Sequence, residues 1–313
     1  MSSLLLSWRF WKDIPQHNTV KGGHPWLRKL HPRTRMSRRE KLRLFVFVVC
    51  AGICSPPNWA YAQDGPADLP DSPSHVSRSS SHGNHSPSER EVSWHSLPKD
   101  FLQDQKAIWL FPTQLAKGRY WLPTLAIVGG TAGLIVADPH AMPYFRTHAR
   151  NLDDINDVFD APITSAEVVA LPVSLMFAGY IRHDSYQMNT ALLAGEAYAD
   201  SAVVDLAIKA VTRRKRPTDV PAGGSFNDTF FNGGKSPFKG SAFPSGHAAG
   251  VFAVTTAVAS RYHNHRWVPW TLYGFATAIS FSRVMTSAHF PSDVFLGAAL
   301  GYTITRYQVL GPR

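Results

Sequence analysis

From Trp94 to the end of the chain, apolar residues recur at helical spacing, and no stretch alternates with the period of two that marks a strand. The pattern predicts helices at about 99–110, 120–137, 163–181, 187–213, 246–261, 268–285 and 293–307. Pro112, Pro217, Pro237, Pro244 and Pro291 punctuate them. The expected fold is therefore all-α, a bundle of about six core helices behind a disordered N-terminal extension. Residues 217–243 interrupt the helical pattern with a run rich in Gly, Ser and Asn. So long a loop inside a compact domain points to function rather than to simple connection.

The same pattern bears on membranes. The charge-free runs 121–137, 248–260, 267–282 and 294–305 hold 17, 13, 16 and 12 residues. Each is shorter than the ~20 residues a spanning helix needs. Helix 187–213 carries Glu196, Asp200, Asp205 and Lys209, and helix 163–181 carries Glu167. Such charges are costly in lipid unless they face a site or a partner. These features favour a soluble or peripherally attached bundle over an integral one. Trp94, Trp109 and Trp121 read as core or interfacial aromatics, which keeps membrane contact open.

Before Trp94 the chain reads differently. Arg38, Arg39, Lys41 and Arg43 precede an apolar run from Leu44 to Cys54, followed by Ser55-Pro56-Pro57 and Ala60-Tyr61-Ala62. A positive segment, a short apolar core and a small-x-small end form the secretory pattern, with cleavage expected after Ala62 and Met36 as a candidate start. Residues 1–62 are thus assigned to a signal peptide and residues 63–93 to a Ser/Pro/His-rich linker too polar to order itself. His75, His82, His85 and His95 in or beside it are spaced irregularly and read as solvated side chains. The helical domain covers 94–313. The protein is expected to be exported, either to the periplasm or to the inner membrane with its site facing the periplasm.

Charge and cysteine content narrow the chemistry. The chain has 32 Lys+Arg and 22 Asp+Glu, a formal charge of +10. Residues 1–44 hold eleven of the basic residues against two acids, a net +9, and residues 63–313 hold 21 against 20, a net +1. A nucleic-acid partner requires excess positive charge on the folded domain, so none is expected. Cys50 and Cys54 are the two cysteines, both inside the leader, which rules out a disulfide framework or a cysteine metal site.

Three clusters in the C-terminal third carry chemistry. Lys209 and Arg216 are seven residues apart, a spacing that puts them on one helical face, where two cations need an anion between them. Arg213, Arg214 and Lys215 also fit a solvated basic helix end facing the dipole. Pro244-Ser245-Gly246-His247 opens a helix: Ser245 suits an N-cap, and Gly246 leaves room for an anion at the unpaired backbone N–H groups. Ser282 and Arg283 close one helix, His289 lies in the following turn and Asp293 opens the next. Asp293 is placed to accept the Nδ1–H of His289 and free Nε2 as a nucleophile. A His–Asp pair that merely joins two helices, or a metal pair at i, i+4, fits that cluster alone. Gly233-Gly234-Lys235-Ser236 imitates the end of a P-loop, but Thr229 stands where the first glycine belongs and no strand precedes it.

Together, K-x6-R-P, P-S-G-H and S-R-x5-H-x3-D resemble the three-part signature of the type-2 phosphatidic acid phosphatase superfamily, which includes bacterial class A acid phosphatases and vanadium haloperoxidases. The motifs span 209–293. The resemblance implies a phosphoric-ester hydrolase acting on a phosphorylated lipid or a small phosphate ester. It implies His289 as nucleophile, Asp293 as its orienting acid and His247 as proton donor and then base. Lys209, Arg216, Ser245, Gly246 and Arg283 would bind the phosphoryl group. It implies no cofactor and no metal ion, the cations supplying the charge. Vanadate mimics phosphate, so a vanadate-dependent haloperoxidase is the alternative enzyme. A non-catalytic module that binds phosphate or a lipid head group is the alternative of another class.

Overall fold

A computed structural model describes residue 90 and residues 92–148, 161–233 and 241–311; for 161–167 it describes the backbone alone. The leader, nearly all of the 63–93 linker, both cysteines, the Glu167 side chain and residues 234–236 of the P-loop-like run fall outside that set.

The described chain is helical, and no strand occurs in it. In order it forms α1 (Leu97–Trp109), α2 (Phe111–Ala116), α3 (Trp121–His148), α4 (Ala161–Arg182), α5 (Ser185–Thr212), a 3-10 turn (Pro217–Asp219), α6 (Gly246–Arg261), α7 (Trp267–Met285) and α8 (Pro291–Ile304). A π turn, Thr305–Val309, follows α8 directly. The all-α expectation holds, with α2 as an addition that the apolar pattern did not signal.

The core assembles on α6, which packs against α4, α5, α7 and α8. Leu175, Val254, Val258, Leu272 and Ile279 are buried together where α4, α6 and α7 meet. The contact with α8 is closest. A Cβ on Gly297 would lie 2.4 Å from the Ser245 carbonyl oxygen, and one on Gly301 would lie 2.1 Å from that of Ala249. Only glycine lets the two backbones touch at these points, and this fixes the start of α8 beside the start of α6.

Cap chemistry places the ends of α5 and α6. The Asp184 carboxylate accepts from the N–H groups of Tyr186 and Gln187 at 2.9 and 3.1 Å, closing the N-terminus of α5. Its other end stops at Arg213, which adopts the left-handed conformation (φ +39°). Ser245 caps α6, its hydroxyl accepting from Ala248 N–H at 3.4 Å.

Helix α3 departs from expectation. The 120–137 prediction stopped before Pro139, yet the helix runs on through Pro139 and Pro143 to His148, 28 residues in all. Side chains hold it on either side of the prolines. Asp138 bonds to Arg214 and Ser292, and Arg146 donates to the carbonyls of Pro217 and Val220. The apolar face of α3 is largely exposed, with Leu122 at 80% and Val136 at 73%. By length and composition α3 can cross a membrane. That corrects the expectation that no segment reaches the required length. Trp94, Trp109 and Trp121 are all more than half exposed, so they are not core residues.

Candidate active site

The three motif clusters meet where α5 ends and α6 and α8 begin. Thr212, the last residue of α5, donates from its hydroxyl to the Phe243 carbonyl at 3.0 Å, tying that end to the turn before α6. Ser245 N–H donates to the Asp293 carbonyl at 2.9 Å, tying α6 to α8. Thr218 N–H donates to the Ser287 carbonyl at 3.2 Å, bringing the 3-10 turn to the segment between α7 and α8.

His289 is buried at this junction, 3% exposed. Its Nδ1 lies 2.8 Å from the Ala242 carbonyl oxygen and 3.6 Å from Asp293 Oδ2. A carbonyl accepts and never donates, so Nδ1 carries the proton and Nε2 holds the lone pair. The backbone of residue 242 therefore takes the hydrogen bond that the sequence assigned to Asp293. The aspartate is engaged elsewhere: Oδ2 accepts from Phe290 N–H at 2.7 Å, and Oδ1 accepts from Arg214 at 2.6 Å. At 3.6 Å it still faces the imidazole as a charge partner.

Lys209 reaches the N-terminus of α6. A Cβ on Gly246 would meet Lys209 Nζ at 2.9 Å and Asp205 Oδ2 at 3.0 Å. The room that Gly246 leaves is thus filled by the Lys209–Asp205 ion pair, which is 2.6 Å long. Asp205 sits close enough to His289 to interact with it electrostatically. Burial pushes the Asp205 carboxyl above its ordinary range, against the opposing pull of Lys209 and His289. The burial of Asp205 was not legible in the sequence, where it read as one more charge on a long helix, although its i, i+4 spacing from Lys209 is that of a helical ion pair.

Arg283 is buried at the end of α7, with Nε and Nη2 donating to Ser282 Oγ at 3.2 and 3.1 Å. Its carbonyl accepts from the N–H of His289 at 3.1 Å. His247 occupies the first turn of α6 and is half-buried. Arg216 departs from the reading. It does not share a helical face with Lys209, because α5 ends at Thr212, and Arg216 is an exposed residue in extended backbone. It stands two residues before Thr218, whose N–H bonds to the Ser287 carbonyl.

A larger surprise is Arg214, which the sequence allowed as a solvated helix end. It is 1% exposed. Its guanidinium donates to Asp293 (2.6 Å), Ser292 (2.7 Å), Asp138 (2.7 Å) and Thr229 (3.1 Å). The rings of Phe290 and Phe230 cover it at 3.8 and 4.4 Å. No local pattern separates Arg214 from Arg213 and Lys215. The one sequence hint was Asp138, an acid next to a long apolar run.

Away from this junction, one group of acids among the described residues suits a cation. Carboxylate oxygens of Asp104, Glu196 and Asp200 lie within 4.8 Å of one another, beside Arg90. None of the three motifs contributes to that group.

No curated protein sequence matches the chain. Among solved structures it is similar to a transmembrane PAP2-type phosphatidylglycerolphosphate phosphatase from Bacillus subtilis, at 19% identity and a TM-score of 0.35, covering 68% of this chain and 92% of that one. Residues 190–311, which contain all three motif clusters, match the sequence model of the PAP2 superfamily.

Proposed function

We propose that this protein is an exported phosphatase that cleaves lipid phosphates, lipid pyrophosphates or other phosphate monoesters without a metal ion, through a phosphohistidine at His289. The observation that carries the reading is the anchored imidazole. With Nδ1–H held by the Ala242 carbonyl, the Nε2 lone pair belongs to a buried ring that interacts with Asp205, whose partner Lys209 reaches the N-terminus of α6. Cations and unpaired backbone N–H groups stabilise charge on the equatorial oxygens of a phosphoryl group in transfer.

In this mechanism Nε2 attacks phosphorus and the ester P–O bond breaks. His247 gives its proton to the leaving oxygen. The imidazolium formed at His289 is stabilised by the Asp293 carboxylate. Water then loses a proton to His247 and attacks phosphorus; the P–N bond breaks and its electron pair returns to Nε2. Lys209, Arg283, Ser245 and the Gly246 N–H hold the phosphoryl oxygens, and Arg216 joins them. The apolar faces that α3 and α4 expose, Leu125, Val136, Phe177 and Ile181 among them, support membrane association and a lipid substrate. The secretory pattern of the leader supports export.

The test compares phosphate release from phosphatidate vesicles and from a soluble aryl phosphate, with and without chelator. The wild-type enzyme is expected to turn over in chelator and to form an acid-labile phosphoprotein when quenched. His289→Ala should abolish both turnover and label while still binding inorganic phosphate. Wild-type activity in His289→Ala, or its loss on chelation, overturns the mechanism.

A further inference from the structure

Arg214 is one of the six unspecified positions between Lys209 and Arg216, and Asp138 belongs to none of the motifs. We propose that Arg214 and Asp138 are positioning residues for His289, fixing through Asp293 and the Ala242 peptide both the orientation and the charge environment of the nucleophilic ring. The inference rests on the function proposed above.

Two routes run from Arg214 to the imidazole. The first is electrostatic: Nη1 holds Asp293 Oδ1 at 2.6 Å, leaving Oδ2 to face His289 at 3.6 Å. The second is through the backbone: the Arg214 carbonyl accepts from Ala242 N–H at 2.8 Å, and the carbonyl of the same Ala242 accepts from His289 Nδ1–H at 2.8 Å. Asp138 closes the assembly from α3. It takes Arg214 Nη2 at 2.7 Å, and its other oxygen accepts from Ser292 N–H at 3.2 Å, one residue from Asp293. Asp138, Arg214 and Asp293 are each 1% exposed or less, so water screens their charges weakly.

With both carboxyls ionised, the triad Asp138–Arg214–Asp293 carries a net charge of −1. Asp138→Asn brings it to zero and Arg214→Gln brings it to −2, with little change of shape. The remaining charged groups on the elements around His289, among them Asp205 and Lys209 of α5, His247 of α6, Arg283 of α7 and Arg216 before the 3-10 turn, persist in both variants. Protonation of His289 should therefore become harder in Asp138→Asn and easier in Arg214→Gln.

The experiment reads the acidic limb of the kcat/KM profile and, independently of activity, the NMR titration midpoint of His289 in the same proteins. Asp138→Asn is expected to move both to lower pH and Arg214→Gln to move both to higher pH, each by roughly half a unit or more. The kcat should fall about tenfold or more with KM little changed, because neither side chain touches substrate. The double variant, restored to −1, should bring the midpoint back toward wild type. Equal activity losses with an unmoved midpoint would mean that the cluster is structural only and would overturn the proposal. If Arg214→Gln does not fold, Asp138→Asn alone decides by the same criterion. An inactive wild-type enzyme would defeat the proposed function while the NMR midpoints still judge this network.

Discussion

Helix α5 leads to two buried charge clusters of opposite character. Just past its C-terminal end, one cation, Arg214, faces two carboxylates, and each of its three nitrogens donates to a named oxygen. Nearer its middle, one cation, Arg90, faces Asp100, Asp104 and Glu196 at 3.2, 3.7 and 2.9 Å, with Asp200 beside them. There Asp200 keeps Oδ1 on Gln105 Nε2 at 2.8 Å, but its Oδ2 is buried with no hydrogen-bond partner among the described residues. Hydrogen-bond saturation sets them apart. A saturated cluster holds its charges in one geometry, as a nucleophile requires. An under-compensated one relieves itself by taking up a proton, as Asp200 does: burial first, then the nearby Asp104 and Glu196, push it up to about 7.

Removing the cation of the saturated cluster should cost most. Arg214→Met leaves Asp138 and Asp293 buried without their partner, a loss of about 3–5 kcal/mol. Chemical unfolding of the two proteins at pH 7 measures it. A loss below about 1 kcal/mol would mean that the carboxylates find water or protons as readily here as around Arg90.

The second cluster answers to pH instead. Folded Asp200 retains its proton up to about 7, whereas in the unfolded chain it ionises near 3.8. Between those values the folded state binds more protons, so stability is fully present below about pH 4 and declines as pH rises toward 7. Asp200→Asn keeps an acceptor for Gln105 and removes the titration. It should flatten that decline and raise stability at pH 8 by about 2–4 kcal/mol. Parallel unfolding curves against pH for both proteins would show this group to be silent.

How much of this was readable beforehand follows the same division. The cap at Ser245, the break at Pro291 and the spacing of His289 and Asp293 are local, so the sequence displays them, and the folded chain puts them at helix starts as expected. Arg214, Asp138 and Asp205 act through partners between 4 and 154 residues away, and no local pattern encodes the longer of these pairings. Arg216 misled because a seven-residue spacing implies one face only while the helix lasts, and the left-handed turn at Arg213 ends it. Helix α3 misled in the opposite sense, since Pro139 is tolerated where Asp138 and Arg146 pin the flanking turns.

Arg90 tests whether the acid-rich cluster needs its cation at all. Arg90→Met should cost only about 1–2 kcal/mol at pH 7, because neighbouring acids can protonate in compensation. The loss should grow at pH 8.5, where they cannot. A loss equal to that of Arg214→Met at pH 7 would erase the distinction between the two clusters.

Asp205 lies between the extremes and gives the smallest effect. It has one cation, Lys209, and its Oδ1 is buried without a hydrogen bond among the described residues. In the proposed enzyme an incoming phosphate must compete with this carboxylate for the Lys209 ammonium, and it meets a like charge in doing so. Asp205→Asn removes the competitor while preserving shape. Inhibition by inorganic phosphate at pH 7.5 should tighten about three- to tenfold, the effect of roughly 1 kcal/mol. Because burial raises the Asp205 carboxyl above 3.8, acidification protonates it early, and the advantage of the variant should shrink as pH falls. An inhibition constant that is unchanged at pH 7.5, or improved equally at every pH, would show that Lys209 is already available to the anion and that its 2.6 Å partner is no obstacle.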